Sequence, residues 1–243
     1  MEGTCRLCLT ESAVLRNSHI IPEFNYKPCY DDKHRFFRLS TKGPKNKAFG
    51  QKGFREHLLC QDCETKFSKW ERYAKQILVD GGLSAARKFK WGYEFHGVDY
   101  APFKLYLLSV LWRMGVSSLS IFEMVKLGRH QERIRLALVA EDPLDEHIYP
   151  VLFVAVTLSG RFISDFIVPP SLVKEDGLQM YRCVISGILY TFCVGSHRIS
   201  KDMEKFAIHR NGILILPVMS LEDIPYLYDY CREVHKAIQS AEQ

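Results

Sequence analysis

The sequence predicts an α+β protein in which a small zinc-binding module precedes a helical segment and an α+β domain with an antiparallel sheet. Three observations predict this arrangement. Two Cys-x-x-Cys pairs lie within the first 63 of 243 residues. Apolar residues at helical spacing follow the second pair, and several stretches between residues 149 and 219 alternate with the period of two that is typical of strands.

Composition restricts the class of protein. With 47% hydrophobic and 25% charged residues, the chain has the composition of a globular protein. The N-terminus lacks the basic and apolar regions of a signal peptide, and the longest apolar runs are far shorter than the roughly 20 residues of a membrane-spanning helix. We therefore expect a cytoplasmic protein with no membrane partner. The cytoplasm keeps thiols reduced, so the eight cysteines are not expected to form a disulfide framework.

The first module is predicted over residues 1–80 from the four paired cysteines. The gap of two residues within each pair lets both thiolates reach one Zn²⁺ ion tetrahedrally. The 51 residues between the pairs exceed what a simple zinc ribbon needs. The second pair leads into a helix, with Asp62 as the predicted N-cap, and this pattern fits a treble clef with a structural zinc ion. A redox-active pair is the weaker alternative, because it would need a βαβ setting. The predicted zinc ligands are Cys5, Cys8, Cys60 and Cys63.

A basic segment lies between the cysteine pairs. Residues 33–55 carry eight Lys or Arg residues and no acidic one, interleaved with four phenylalanines. Cations in such a segment suit a phosphate backbone, whereas the alternative is a solvated, flexible loop. The predicted nucleic-acid contacts are Lys33, Arg35, Arg38, Lys42, Lys45, Lys47, Lys52 and Arg55.

The rest of the chain is predicted as a linker and a second domain. Residues 81–101 are rich in aromatic residues and glycine and are predicted as a linker that packs against the protein. Residues 102–243 are predicted as an α+β domain of unknown role. Pro102 opens an apolar helix through Met114, and shorter helices are predicted at 120–128 and 129–139. Strands are predicted at 149–158, 161–168, 180–194 and 212–219, before a capped C-terminal helix that reaches residue 239.

The segments CRLC, SHIIP and LLCQDCE, in this order, resemble the cysteine-framed HNH nucleases of the ββα-metal class. The resemblance covers about residues 5–75, and the longer run also resembles uncharacterised bacterial HNH-type proteins. It implies a divalent-metal-dependent endonuclease that hydrolyses phosphodiester bonds of DNA, in preference to RNA, with bacterial defence as a setting. His19 matches the general base. Ser18 falls where the family has an Asp or His ligand, and Glu64 falls where the family has a His or Asn ligand of the catalytic Mg²⁺ or Mn²⁺ ion.

The match has two departures. Serine is a poor metal ligand, and the asparagine that orients the base has no counterpart, because Arg55-Glu56 occupies its place; Asn17 and His57 are the candidates for that role. Glu64 is a good ligand for a hard cation, and its alternative role is that of an acidic residue favoured by the helix dipole.

Two other functions therefore stay open beside the nuclease. One is a non-catalytic zinc module that binds nucleic acid or a protein. The other is a subunit of a larger complex, with a protein partner bound through residues 102–243.

Overall fold

Residues 1–38, 48–175 and 177–239, which the computed structural model describes, form an α+β protein with an eight-stranded and mostly antiparallel sheet. The predicted α+β class is confirmed. No helix in these three ranges is both long and apolar enough to cross a bilayer.

Short antiparallel strand pairs and one long helix form the N-terminal part. Its elements are β1 (Glu2–Gly3), β2 (Ala13–Val14), β3 (Arg16–His19), β4 (Phe36–Arg38), β5 (Ala48–Gly50), β6 (Arg55–Leu59) and α1 (Gln61–Leu78). Strand β1 pairs with β2, β3 with β6 and β4 with β5. Two turns of 3-10 helix, Glu23–Asn25 and Lys27–Cys29, follow β3.

Helix α1 forms where the apolar periodicity predicts it. Phe67, Trp70 and Ala74 lie three or four residues apart and are buried on one face. The predicted N-cap is wrong by two residues, because Cys60 occupies that position in an extended conformation and Asp62 lies in the first turn. The second cysteine pair therefore passes from strand to helix without an intervening loop.

The large sheet belongs mainly to the second half of the chain. Its strands are β7 (Ala85–Phe89), β8 (Gly92–Phe95), β9 (Val151–Leu158), β10 (Arg161–Phe162), β11 (Ile167–Glu175), β12 (Leu178–Ile185), β13 (Ile188–Val194) and β14 (Leu214–Ser220). Their order is β11-β12-β13-β9-β14-β8-β7, with β10 paired to β9. Only β9 and β14 run parallel among the strand pairs of the described ranges.

Residues 81–101, predicted as a linker, instead contain the hairpin β7–β8. Strand β8 pairs with the first half of β14, while Val218–Ser220 of β14 pairs with β9. The partner of the hairpin thus comes from more than 100 residues further along the chain. Local periodicity carries no information on a partner at that separation, which explains the error.

Residues 180–194, predicted as one strand, form two. Ser186 and Gly187 both have positive φ angles, of 51° and 76°, as the tight turn of a two-residue hairpin requires. A Cβ atom on Gly187 would lie 2.0 Å from the carbonyl oxygen of Ile163. Glycine is therefore needed here for both its φ angle and its size.

Helix α2 (Tyr100–Val116) lies between the two parts of the protein, and its residues 103–114 are all buried. Trp112 packs edge-on against Phe67 of α1, with ring centroids 6.3 Å apart, and Phe103 stacks on Phe153 of β9 at 5.9 Å. One continuous buried cluster therefore includes both parts. The other α-helices of the described ranges are α3 (Arg129–Ala140), α4 (Lys201–Glu204) and α5 (Pro225–Gln239). The helix predicted at 120–128 is reduced to a 3-10 turn, Ser120–Phe122.

Candidate metal centre and histidine site

The four predicted zinc ligands come together. One ligand atom from each residue can be chosen so that all lie within 4.8 Å of one another, and the two pairs are separated by 51 residues of chain. Four sulfur donors at this spacing fit a tetrahedral structural zinc site. The cluster consists of Cys5, Cys8, Cys60 and Cys63.

Backbone hydrogen bonds hold the two pairs against each other. The Arg6 N–H donates to the Leu58 carbonyl at 2.9 Å, which attaches the first pair to β6. The Cys60 N–H donates to the Cys5 sulfur at 3.3 Å. These bonds hold the two cysteine pairs next to each other.

Electrostatics of the cluster favour a bound cation. Burial raises the pKa of Cys5 and of Cys63, and neighbouring sulfurs add to the effect at Cys63. Burial alone would raise the pKa of Cys8 as well, but hydrogen bonding to Thr10 lowers it to about 6. Crowded thiolates repel one another unless a cation lies between them, and metal binding releases their protons. The residues present therefore fit a metal ion such as zinc.

His19 ends strand β3, opposite Arg55 of β6. Its carbonyl oxygen accepts a 2.8 Å hydrogen bond from Nη1 of Arg113, which lies in α2. The same guanidinium nitrogen lies 2.7 Å from Oε1 of Glu71 in α1. Arg113 is almost completely buried, so this cation ties the end of β3 to both helices.

The imidazole of His19 faces a carboxylate that sequence analysis did not identify. Nε2 of His19 lies 2.5 Å from Oε2 of Glu23, and in the described part of the chain neither atom has a conventional hydrogen-bond partner. Tyr30 donates a 2.6 Å hydrogen bond to Oε1 of Glu23. Nη2 of Arg55 lies 3.6 Å from Oε2. The spacing His-x-x-x-Glu was the available signal, but only the 3-10 turn after Pro22 brings the two side chains together.

The charge state of this group suits a proton acceptor. Burial and the nearby Arg55 cation lower the pKa of His19, and they outweigh the opposing effect of Glu23. Burial by itself would raise the pKa of Glu23, but Tyr30, His19 and Arg55 hold it below its usual value. A neutral imidazole beside an ionised carboxylate follows at neutral pH.

The two predicted ligands of the catalytic ion have different environments. Ser18 is 1% exposed, and its hydroxyl donates to the Arg16 carbonyl at 3.4 Å. Glu64 has one buried carboxylate oxygen, Oε1, that has no hydrogen-bond partner among the described residues. Within the described ranges, the four cysteines form the only group of three or more His, Cys, Asp or Glu residues that lie close enough together to hold a metal ion. The residues here therefore do not form a ligand set for Mg²⁺ or Mn²⁺ comparable with the zinc cluster.

Glu56 and His57, next to the position where the resemblance leads us to expect an asparagine, have structural contacts. Nδ1 of His57 lies 3.2 Å from the Leu15 carbonyl oxygen. Glu56 accepts hydrogen bonds from the hydroxyls of Ser117 and Ser118, at 2.8 and 2.7 Å, and anchors the end of α2. Among the residues that the structure describes, Glu23 contacts the imidazole of His19.

The predicted nucleic-acid contacts are only partly described. Lys33 and Lys52 are exposed, whereas both Nε and Nη2 of Arg35 donate to Asp31. Arg38 lies in β4, and Lys42, Lys45 and Lys47 lie outside the described residues. Arg55 contacts Glu23 of the histidine site.

Comparison of the chain with protein-family models, with curated proteins and with solved structures finds no match. The chemistry of the site is therefore argued from its own geometry.

Proposed function

We propose that the chain is a nuclease of the HNH type, in which a treble clef formed by the four cysteines binds a structural zinc ion and His19 activates water for hydrolysis of a DNA phosphodiester. The observation that carries the proposal is the position of His19. It ends a strand whose antiparallel partner leads directly through the second cysteine pair into a helix, and its neutral imidazole is a suitable base.

The chemistry expected of His19 is proton transfer from water. Because Nε2 faces Glu23, Nδ1 is the ring nitrogen that would accept the proton. The water oxygen then attacks phosphorus, the bond from phosphorus to the leaving sugar oxygen breaks, and that oxygen takes a proton from solvent. The resemblance implies that Mg²⁺ or Mn²⁺ stabilises the charge on the phosphate and the leaving oxygen when bound. Glu64, whose buried Oε1 has no hydrogen-bond partner among the described residues, would contribute one ligand to this ion, and water and the phosphate would supply the others.

The exposed Lys33 and Lys52 support nucleic acid as the substrate, because cations in the basic segment release counterions from a phosphate backbone. The proposal includes DNA as the preferred substrate, a cytoplasmic location and a role in bacterial defence. A protein partner would bind through residues 102–243.

Cleavage of plasmid and of single-stranded oligonucleotides, DNA and RNA, in Mg²⁺ or Mn²⁺ tests the proposal. The His19→Ala variant is expected to lose cleavage by about 10²–10⁴-fold, the contribution typical of a general base. His96→Ala is the control, because it removes an exposed imidazole that contacts Glu94 instead. An inactive wild type with every metal and substrate would contradict the proposal, and so would undiminished cleavage by His19→Ala.

A non-catalytic zinc module is the second candidate function. The hydroxyl of Ser18 faces the Arg16 carbonyl, and this observation favours it because the family has a metal ligand at that position. This alternative predicts salt-dependent DNA binding, without cleavage, that His19→Ala leaves unchanged.

A further inference from the structure

We infer that Glu23 is the positioning residue of the histidine site, which fixes the ring of His19 and holds the guanidinium of Arg55 beside it for a substrate phosphate. The inference rests on the proposed function, because it names how the base is oriented in the absence of the asparagine that related sites use.

Several polar side chains surround the carboxylate of Glu23. Oε2 lies 2.5 Å from Nε2 of His19 and 3.6 Å from Nη2 of Arg55. Oε1 receives the Tyr30 hydroxyl at 2.6 Å, with Nε2 of His34 at 4.0 Å. Four side chains within 4.0 Å make this more than an isolated surface ion pair. The side chains of His19 and Glu23 are only 21% and 33% exposed.

The backbone that carries Glu23 is anchored on both sides. The 3-10 turn Glu23–Asn25 begins after Pro22, and the Asn25 N–H donates to the Pro22 carbonyl at 3.0 Å. The carbonyl of Asn25 accepts a 2.8 Å hydrogen bond from the hydroxyl of Ser186 at the β12–β13 turn. A carboxylate on such an anchored turn keeps its position, as a positioning group must.

Arg55 is placed for an anion. It lies directly opposite His19 in the β3–β6 pair, so the two side chains leave the same face of the pair. Its Nε is buried and without a hydrogen-bond partner in the parts of the chain that the structure describes. A guanidinium has five N–H donors in a planar fork, and the contact with Glu23 uses one side of it. The Nη1 and Nη2 donors that Glu23 does not engage suit the oxygens of a phosphate, because the side chain is 26% exposed.

The carboxylate has two effects on His19. Its negative oxygen, 2.5 Å from Nε2, favours the tautomer that carries the ring proton there, which leaves Nδ1 as the acceptor for the proton of the attacking water. When that proton arrives, the imidazolium lies beside the negative charge of Glu23, and the carboxylate stabilises it without taking a proton itself. The same charge offsets repulsion between the imidazolium and Arg55.

The test of this role uses Glu23→Gln, which keeps the shape of the side chain and removes its charge. We expect kcat for cleavage to fall by about 100-fold, the loss typical of a misplaced catalytic group, and KM to rise by less than in Arg55→Lys, because the guanidinium itself is retained. Glu23→Asp, which retains a carboxylate, should recover part of the rate. Glu233→Gln, on the exposed face of α5, is the matched control and should cleave like the wild type. A full rate for Glu23→Gln would overturn the inference.

A spectroscopic measurement tests the inference without relying on cleavage. In ¹⁵N-correlated spectra of the zinc-loaded protein at one pH at which His19 is neutral, the wild-type ring should carry its proton on Nε2. Glu23→Gln should give a mixture of tautomers or the Nδ1-protonated ring. A wild-type ring protonated on Nδ1, or a spectrum unchanged by Glu23→Gln, would overturn the inference. If the wild type cleaves nothing, the proposed nuclease activity fails, and the spectra still decide the role of Glu23.

The role of Arg55 is tested by Arg55→Lys. The variant keeps the charge but loses the planar fork, so KM for DNA should rise by about 10-fold while the His19 tautomer stays the same. Arg232→Lys, exposed on α5, is the control. Unchanged KM for Arg55→Lys would contradict a phosphate contact at this residue.

Discussion

The N-terminal part and the sheet of the second half are stabilised in different ways. Strands β1, β3 and β6 have two, four and five residues, whereas β9, β11 and β12 have eight, nine and eight. Two-stranded pairs of that size are marginal in water. The N-terminal part relies on the cysteine cluster and on helix α2, while the sheet has two smaller apolar clusters of its own besides the core that both parts share.

This difference indicates why the histidine site lies where it does. Long apolar strands leave little room for buried polar groups, because each such group needs a partner. The short pairs instead expose their ends. The histidine site, formed by His19, Glu23 and Arg55, lies at one such end. The cysteine cluster and packing on α2 stabilise this part, so the strands themselves are free to carry polar side chains.

Removal of a bound metal is expected to have the largest effect, which is a loss of structure in the N-terminal part alone. A chelator, or the variant Cys60→Ser, should abolish hydrogen-exchange protection in residues 1–78 while β9, β12 and β13 stay protected. A structural zinc ion contributes on the order of 10 kcal/mol to the folding of a small module. Cys231→Ser, which lies away from the cluster, is the control. Equal loss of protection in both parts would show that they unfold as one unit.

Breaking the link between the parts should have the next largest effect. Arg113→Met removes the cation that pairs with Glu71 and holds the His19 carbonyl. We expect a loss of about 3 kcal/mol in the free energy of unfolding, because a largely desolvated carboxylate is left without its partner. Denaturant unfolding measures this loss. The double variant Arg113→Met/Glu71→Leu should recover much of the stability. If it does not, the lost free energy of unfolding comes from lost packing and not from the unpaired carboxylate.

The smallest effect is expected inside the second part, at Lys104. Its ammonium is fully buried on α2 and donates to the carbonyls of Ile148 and Tyr149, at 2.9 and 2.7 Å. Burial lowers its pKa from 10.5 to about 7. Between these values the unfolded chain binds more protons than the folded protein, so this residue makes stability rise with pH over that range.

Comparison with Lys104→Met isolates this contribution, because the buried thiols and phenols titrate in both proteins. The wild type should gain about 2 kcal/mol in the free energy of unfolding relative to the variant between pH 7 and pH 9. Denaturant unfolding at both pH values gives this difference. A difference that does not change with pH would mean that the amine keeps an ordinary pKa in the fold.

Local patterns in the sequence predicted a substantial part of the fold. The two cysteine pairs predicted the cluster at Cys5 and Cys60, and apolar spacing predicted α1 and α2, because ligand gaps and helical faces are set by residues close in sequence. Alternation also predicted strands near 149–158 and 212–219. It missed the turn at Ser186 and Gly187, and the strand predicted at 161–168 is divided between β10 and the start of β11. Errors arose at positions where a distant partner decides the structure, as in the hairpin β7–β8, which pairs with β14.

The sequence by itself determined which residues can bind a metal and which segments form helices and strands, since spacing and side-chain chemistry are local properties. Only the tertiary structure decided how the histidine is surrounded. Glu23 reaches His19 through a turn anchored on Ser186, Arg55 arrives on the opposing strand, and Arg113 contacts the His19 carbonyl from a helix 94 residues further along the chain. A contact of that range depends on the packing of α2 between α1 and the sheet, and no periodicity within either segment encodes it.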